Sequence, residues 1–188
     1  LGGSSFAQAI GTVGQTTPDV KSVSYFKKCF NAIQKLIESN LVLAGHDVSA
    51  GGLITTLLEM NFANTTYGMN LDLKAFDKED LMAVLFCEKP SVVIQVSNDG
   101  IANRMLRELG ITFKVIGKPM AKRQINIVHN DHHYIFDIDA LRDTWFKSSY
   151  LLDRKQSGPR KAMERFMNYK KQYLHYSFGR NFTGTAAS

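Results

Sequence analysis

Gly45-His46-Asp47-Val48-Ser49-Ala50-Gly51-Gly52 is the stretch on which the reading of the fold turns. Before it stands the wholly apolar run Leu41-Val42-Leu43-Ala44, and after it Leu53, Leu57 and Met60 recur at helical spacing. Four apolar residues ended by a glycine predict a short buried strand that stops at Gly45. His46 to Gly52 then reads as a loop into a helix, giving a strand-loop-helix unit with glycines at its turn. Upstream, Phe26, Phe30, Ile33, Leu36 and Ile37 face Lys27, Lys28, Lys35 and Glu38 across a helical period. They predict an amphipathic helix ending near Asn40, its apolar stripe laid on a sheet. The residues before it, through Asp19, are rich in Gly, Ser and Thr and read as loop.

Downstream the signals alternate. Met69 to Leu73 reads as a strand, and Asp77 or Lys78 is expected to start a helix through Leu81, Val84, Leu85 and Phe86. Val92-Val93-Ile94-Gln95-Val96 is a buried strand, and Asn98 or Asp99 caps a helix carrying Ile101, Met105 and Leu109 that ends at Gly110. Phe113 to Ile116 is expected as a further strand running into Gly117. Gln124 to Val128 and Tyr134 to Ile138 predict a hairpin, with His129-Asn130-Asp131-His132 at its turn. Some strands are joined by helices and others directly, which makes the fold α+β, a mixed β-sheet with packed helices. Past Ala140 the chain changes character. Leu141, Trp145, Tyr150 and Leu151 predict a closing helix, Gln156-Ser157-Gly158-Pro159 breaks it, and another helix is expected from Arg160 to about Leu174, running out to Phe178. Residues 1–140 therefore read as one domain and 141–188 as a helical and coil extension.

The 188 residues are 44% hydrophobic, enough for a full core in one domain. No apolar run approaches the roughly 20 residues of a membrane helix. Leu1 to Ser5 has neither a basic leader nor an apolar core, so no secretory signal is expected there. Cys29 and Cys87, the two cysteines, stand among apolar neighbours and are expected as reduced core residues with no disulfide and no thiolate metal site. The formal charge is +6, but residues 1–140 hold 13 basic and 14 acidic side chains while residues 141–188 hold 10 and 3. The excess lies in a tail where Arg154, Lys155, Arg160, Lys161, Arg165, Lys170, Lys171 and Arg180 alternate with Tyr150, Phe166, Tyr169, Tyr173 and Tyr176. Such interleaving suits a solvated face above a docking stripe, and no nucleic-acid partner and no membrane partner is expected.

The chemistry is expected in the glycine turn. Glycines allow close backbone approach, and a helix N-terminus offers N–H groups and a positive dipole end to phosphate. Asp47 supplies the hard oxygen that Mg²⁺ prefers, and Ser49 can donate to a phosphate oxygen. The alternative is purely local: Asp47 or Ser49 caps the helix. His129, His132 and His133 cluster on a turn without a thiolate and read as an exposed polar turn, not a zinc site. Glu59 and Glu88 could act as acid or base but are read as solvated helix carboxylates, and Leu1-Gly2-Gly3-Ser4-Ser5 could cradle a phosphate but is read as plain loop.

The string Gly45 to Leu53, followed by Leu58-Glu59-Met60 and Phe62-Ala63, resembles the carboxy-terminal domain shared by aminoimidazole ribonucleotide synthetase and its relatives. Within that superfamily it is most similar to the long, single-chain phosphoribosylformylglycinamidine synthase family. Leu1 to Gln8 and Pro18-Asp19-Val20 resemble the start of the second such domain. Trp145, Ser149, Tyr150, Asp153 to Gln156, Asn168 to Gln172 and Phe182-Thr183-Gly184 resemble the connector to the glutaminase domain. A shorter synthetase of the superfamily would leave the extension past Ala140 unexplained.

The resemblance implies a role in de novo purine biosynthesis, in an enzyme that converts formylglycinamide ribonucleotide, glutamine and ATP to formylglycinamidine ribonucleotide, glutamate, ADP and phosphate. Asp47 is then similar to a Mg²⁺ ligand and Ser49 to a nucleotide contact, with Mg²⁺ and ATP or ADP as cofactors. The implied partners are the remaining synthetase domains and the glutaminase domain of the same polypeptide. The implied location is cytoplasmic. Where the family's first copy of the domain has a Glu-Ser-Gln segment touching substrate, this chain has Phe86-Cys87-Glu88-Lys89-Pro90. No catalytic residue is expected here, and the isolated chain is expected to be inactive. The other reading that the resemblance leaves open is a non-catalytic module holding an auxiliary nucleotide.

Overall fold

A computed structural model describes residues 1–76 and 78–171. The chain divides into two compact units, Leu1–Asp143 and Thr144–Ser188. In the first unit the elements run α1 (Ser5–Ala9), α2 (Val23–Glu38), β1 (Val42–Val48), α3 (Gly52–Phe62), β2 (Gly68–Asp72), α4 (Leu81–Phe86), β3 (Ser91–Val96), α5 (Asp99–Glu108), β4 (Gly117–Met120), β5 (Gln124–His129) and β6 (His132–Asp137). Helix α6 (Ile138–Ser157) starts in this unit, and α7 (Pro159–Met167) follows in the second.

Two sheets form. One is the antiparallel pair β1–β3, and the other has four strands in the order β4-β2-β5-β6. Within the larger sheet β2 and β5 run parallel while β4 and β6 pair antiparallel at its margins. The fold is thus α+β with a mixed sheet. Its main core gathers Ile54, Leu57 and Leu58 of α3, Leu71 of β2, Leu73, Leu85 of α4, Ile125 and Ile127 of β5, and Ile138. Helix α3 is apolar over most of its circumference because several elements surround it, burying Ile54, Thr56, Leu57, Leu58 and Asn61. A second core joins Ala32 and Leu36 of α2 to Leu41 and to Ala102 and Leu106 of α5.

Several elements differ from the sequence reading. Strand β1 does not stop at Gly45 but continues to Val48, because β3 offers it a full antiparallel partner, with Gly45 opposite Ile94 and Asp47 opposite Val92. Residues 113–116 form no strand. Pairing instead begins at Gly117, whose missing side chain admits the Asn70 carbonyl: a Cβ there would lie 2.1 Å from that oxygen. Pro119 is tolerated because β4 is an edge strand. The opening segment holds a helix after all. Ser4, fully buried, caps α1 by accepting from the Ala7 N–H while donating to the Leu1 carbonyl at 2.7 Å. Asp80 caps α4, so that helix starts at Leu81 rather than at Lys78; Asp77 lies outside the described residues.

The stripe of α2 is divided. Ala32 and Leu36 are buried, but Phe26, Phe30 and Ile37 stand largely exposed. Only one edge of the stripe meets α5 and the β1–β3 pair. Cys29 and Cys87 are free thiols, half-buried rather than core. The hairpin forms as expected, its turn carried by Asn130 and Asp131 at positive φ. His132 and His133 are exposed, whereas His129 is buried with Nε2 3.2 Å from the Phe76 carbonyl. Arg123 ties the sheet to its helices by donating to the Asn61 carbonyl at 2.8 Å and to Asp139 at 3.0 Å.

In the second unit Gly158 and Pro159 break the helices as expected, with Pro159 in the first turn of α7, where its missing N–H costs nothing. Asp153 takes both forks of Arg165, from Nε at 2.8 Å and from Nη2 at 2.5 Å, and Tyr150 packs on Phe166 at 4.8 Å between ring centres. The Arg165 hydrogen bonds, with one from Ser157, hold the Asp153 carboxyl below the usual aspartate range. A 3₁₀ turn at Asn168–Lys171 follows α7. The expected helical continuation to Leu174 and Phe178 and the residues Tyr173, Tyr176 and Arg180 lie outside the described residues.

Candidate functional site

The glycine turn is built by three constraints. Gly51 takes φ 86° as the residue preceding α3, and Gly52 takes φ 72°, both in the left-handed region that side chains disfavour. Contact forbids side chains there as well: a Cβ on Gly52 would fall 2.7 Å from the Leu85 carbonyl oxygen, and one on Gly51 would fall 2.2 Å from Thr55 Oγ1. Behind the turn, the buried Thr56 hydroxyl lies 3.2 Å from both the Asp47 and the Gly52 carbonyls and fastens the first turn of α3 to the end of β1.

Asp47 is the penultimate residue of β1, its side chain 78% exposed. His46 faces oxygen on both sides. Its Nδ1 lies 2.7 Å from the Asp47 carbonyl and 3.6 Å from the Asp47 carboxylate, while Nε2 lies 3.4 Å from Glu59 on α3. Ser49 is exposed at the start of the turn, and its carbonyl accepts from the Gly52 N–H at 3.0 Å. The N-cap of α3 is Gly51, with no side-chain cap, and among the described residues no hydrogen bond joins the Asp47 or Ser49 side chain to this helix. The capping explanation for Asp47 and Ser49 therefore fails, because neither side chain reaches the helix N–H groups.

A different carboxylate does reach the turn. Glu88 lies not on a helix but in the segment between α4 and β3, and its Oε1 accepts from the Gly51 N–H at 2.8 Å and from the Ser5 N–H at 2.8 Å. Burial pushes this carboxyl up, but hydrogen bonds from Gly51 and Ser5 outweigh it and hold Glu88 below the usual glutamate range. Two N–H groups expected to be open to an anion are thus already spent, that of Gly51 on Glu88 and that of Gly52 on Ser49. Sequence reasoning sets Glu88 aside as a solvated helix carboxylate and assigns His46 and Thr56 no contact. Their partners lie 37, 13 and 9 residues away or are backbone atoms, so no short motif signals them.

The opening loop closes on itself through the Gly2 N–H, which donates to the Thr16 carbonyl at 2.8 Å, and the Gly3 N–H, which donates to Val13 at 2.7 Å. Phe6 stacks on Phe86 at 4.6 Å, beside the Ser5–Glu88 bond. A cavity of about 180 Å³ opens within this loop, lined by Leu1, Gly2, Phe6, Ala7, Ile10 and Thr12 among others, and neither Asp47 nor Ser49 lines it. Among the described residues no group of three or more His, Cys, Asp and Glu side chains is placed to hold a metal ion, and Asp47 has only His46 and Glu59 side chains near it in its own ion-pair chain.

Residues 1–130 match the family described as AIR synthase related protein, C-terminal domain. The chain belongs to that family. This AIR synthase-type domain and its extension are 39% identical over 159 residues to a probable phosphoribosylformylglycinamidine synthase, chloroplastic/mitochondrial, of Arabidopsis thaliana, covering 83% of this chain and 11% of that protein. They are 33% identical over 175 residues to the human phosphoribosylformylglycinamidine synthase, covering 87% and 13%. The chain therefore spans only about an eighth of the human relative's length. Among solved structures, Thermotoga maritima PurL complexed with ATP superimposes over 70% of this chain and 23% of that one, with a TM-score of 0.53 and 15% identity. The phosphoribosylformylglycinamidine synthase II of the same organism gives 0.53 at 18% identity, over 61% and 21%. These likenesses establish the fold. No helix among the described residues is long and apolar enough to cross a membrane.

Proposed function

We propose that this domain is a part of a phosphoribosylformylglycinamidine synthase and contributes Asp47 and Ser49 to a Mg-nucleotide site whose other ligands lie outside this chain. The relatives matched along both the domain and the extension support the parent enzyme. That enzyme would use ATP to activate the amide oxygen of formylglycinamide ribonucleotide, and ammonia from glutamine to displace the phosphate. The observation that carries the site is the exposed Asp47 carboxylate, held at a strand end and spent on no helix cap. A hard anionic oxygen on a fixed backbone suits Mg²⁺, which commonly binds through one or two carboxylates together with phosphate oxygens. When bound, the ion would neutralise phosphate charge. The chain's own residues would do the positioning: Thr56 and His46 hold the Asp47 backbone, and Ser49 offers a hydroxyl to a phosphate oxygen.

Residues 141–188 would form the connector toward a glutaminase domain in the same polypeptide, and the location would be that of the parent enzyme, cytoplasmic in the long single-chain form. The Arabidopsis relative, whose name places it in chloroplasts and mitochondria, marks the organelle as a second outcome. Asp47→Asn in the full-length polypeptide tests the site. Asn keeps the shape and loses the charge, so MgADP affinity should fall more than tenfold, against about tenfold for Ser49→Ala, which removes one hydrogen bond to a charged group. Titration calorimetry that finds MgADP affinity unchanged in Asp47→Asn would refute the assignment.

A further inference from the structure

We propose that Glu88 is the positioning residue of the Asp47–Ser49 turn, an inference that rests on the nucleotide-site reading above. One carboxylate oxygen gathers two backbone N–H groups from segments far apart in sequence, Ser5 at the start of α1 and Gly51 at the start of α3. Hydrogen bonds to a charged acceptor are roughly twice as strong as neutral ones, so this junction is among the firmest links between the opening loop and the turn. It also fixes the sign of the site. The carboxylate already stands at the N-terminal end of α3, where a phosphate would otherwise be drawn, and the Gly52 N–H is turned inward to Ser49. The turn therefore serves a nucleotide through the Asp47 and Ser49 side chains, not through the backbone N–H groups of Gly51 and Gly52. Gly51 cannot substitute for this link by a side chain of its own, since Thr55 fills the space where a Cβ would go. With Glu88 in place Ser49 is held between the end of β1 and a tethered Gly51; without it the Gly51 N–H loses its partner, while the Ser49–Gly52 bond and the Thr55 hydroxyl bond to the Gly51 carbonyl remain.

The test uses the full-length polypeptide with MgADP as the probe, read by calorimetry, together with hydrogen exchange at the Ser5 and Gly51 amides. Glu88→Ala should speed exchange at both amides and weaken MgADP binding about tenfold, the equivalent of losing one net charge-assisted hydrogen bond. Glu88→Gln, whose amide oxygen still accepts from both N–H groups, should remain within about threefold of the parent. If Glu88→Ala does not fold, Glu88→Asp replaces it: the charge stays, the reach shortens by one methylene, and the same weakening is expected. Faster exchange with MgADP affinity within twofold of the parent would overturn the proposal, leaving Glu88 a link in the fold alone. Unchanged affinity in Asp47→Asn, where Glu88 is intact, would instead remove the underlying reading and this proposal with it.

Discussion

At the scale of single residues, the turn after β1 depends on positions where a side chain has nowhere to go. Gly52 combines φ 72° with backbone atoms of Leu85 and Phe86 2.7 Å from where its Cβ would lie. Gly52→Ala should therefore cost at least about 2 kcal/mol of unfolding free energy, part from the left-handed backbone and part from displacing α4, as read by urea unfolding of unit Leu1–Asp143. A cost below about 0.5 kcal/mol would mean that α4 can shift freely away from α3. Asp47 is the opposite kind of residue. It is exposed and contributes little to the fold, so its substitution should separate ligand retention from stability. The sequence made Asp47, Ser49 and the glycines legible, because a strand, a glycine turn and a helix follow one another within 13 residues (Leu41–Leu53). Glu88 reads as a solvated carboxylate, since its two backbone donors are brought to it only by the folded chain.

Helix α2 shows at the scale of elements how far periodicity reaches. Phe26, Phe30, Ile33, Leu36 and Ile37 all lie on the helix they predict, which ends at Glu38 against an expected end near Asn40, but period alone does not tell which part of a wide stripe meets the core. Leu36 is fully buried while Phe30 is 59% exposed. Leu36→Ala should cost about 2–5 kcal/mol and Phe30→Ser less than about 1 kcal/mol, measured by denaturant unfolding of the isolated chain. Comparable losses at both positions would show that Phe30 is covered in solution. Most elements were legible in this way, including β2, β3, the capped α5 and the β5–β6 hairpin. The failures share a cause. Strand β1 runs past its apolar stretch because β3 pairs with it backbone to backbone, and residues 113–116 form no strand because, apart from the Ile116 carbonyl that accepts from the Asp72 N–H, the ladder with β2 starts at Gly117. Pairing partners, unlike hydrophobic runs, leave little trace in local composition.

For the whole molecule, a chain that matches about an eighth of a much longer relative carries, among its described residues, no group of three or more His, Cys, Asp and Glu side chains placed to hold a metal ion, and on the proposed reading it supplies only part of a nucleotide site. Incubated alone with formylglycinamide ribonucleotide, ammonia, ATP and Mg²⁺, it should form no formylglycinamidine ribonucleotide above background, and measurable product in that assay would sink the proposed division of the site among domains. The central pair of the four-stranded sheet carries a different consequence, for the order in which the protein is made. Strand β2 lies parallel to β5, with Leu71 beside Ile127, so the sheet joins segments separated by the whole of α4, β3, α5 and β4. A ribosome that has released β2 must synthesise all of those elements before the partner strand appears, and nascent chains halted before residue 124 should expose Leu71 and Leu73 to chaperones, whereas those halted after the hairpin has emerged should bury them.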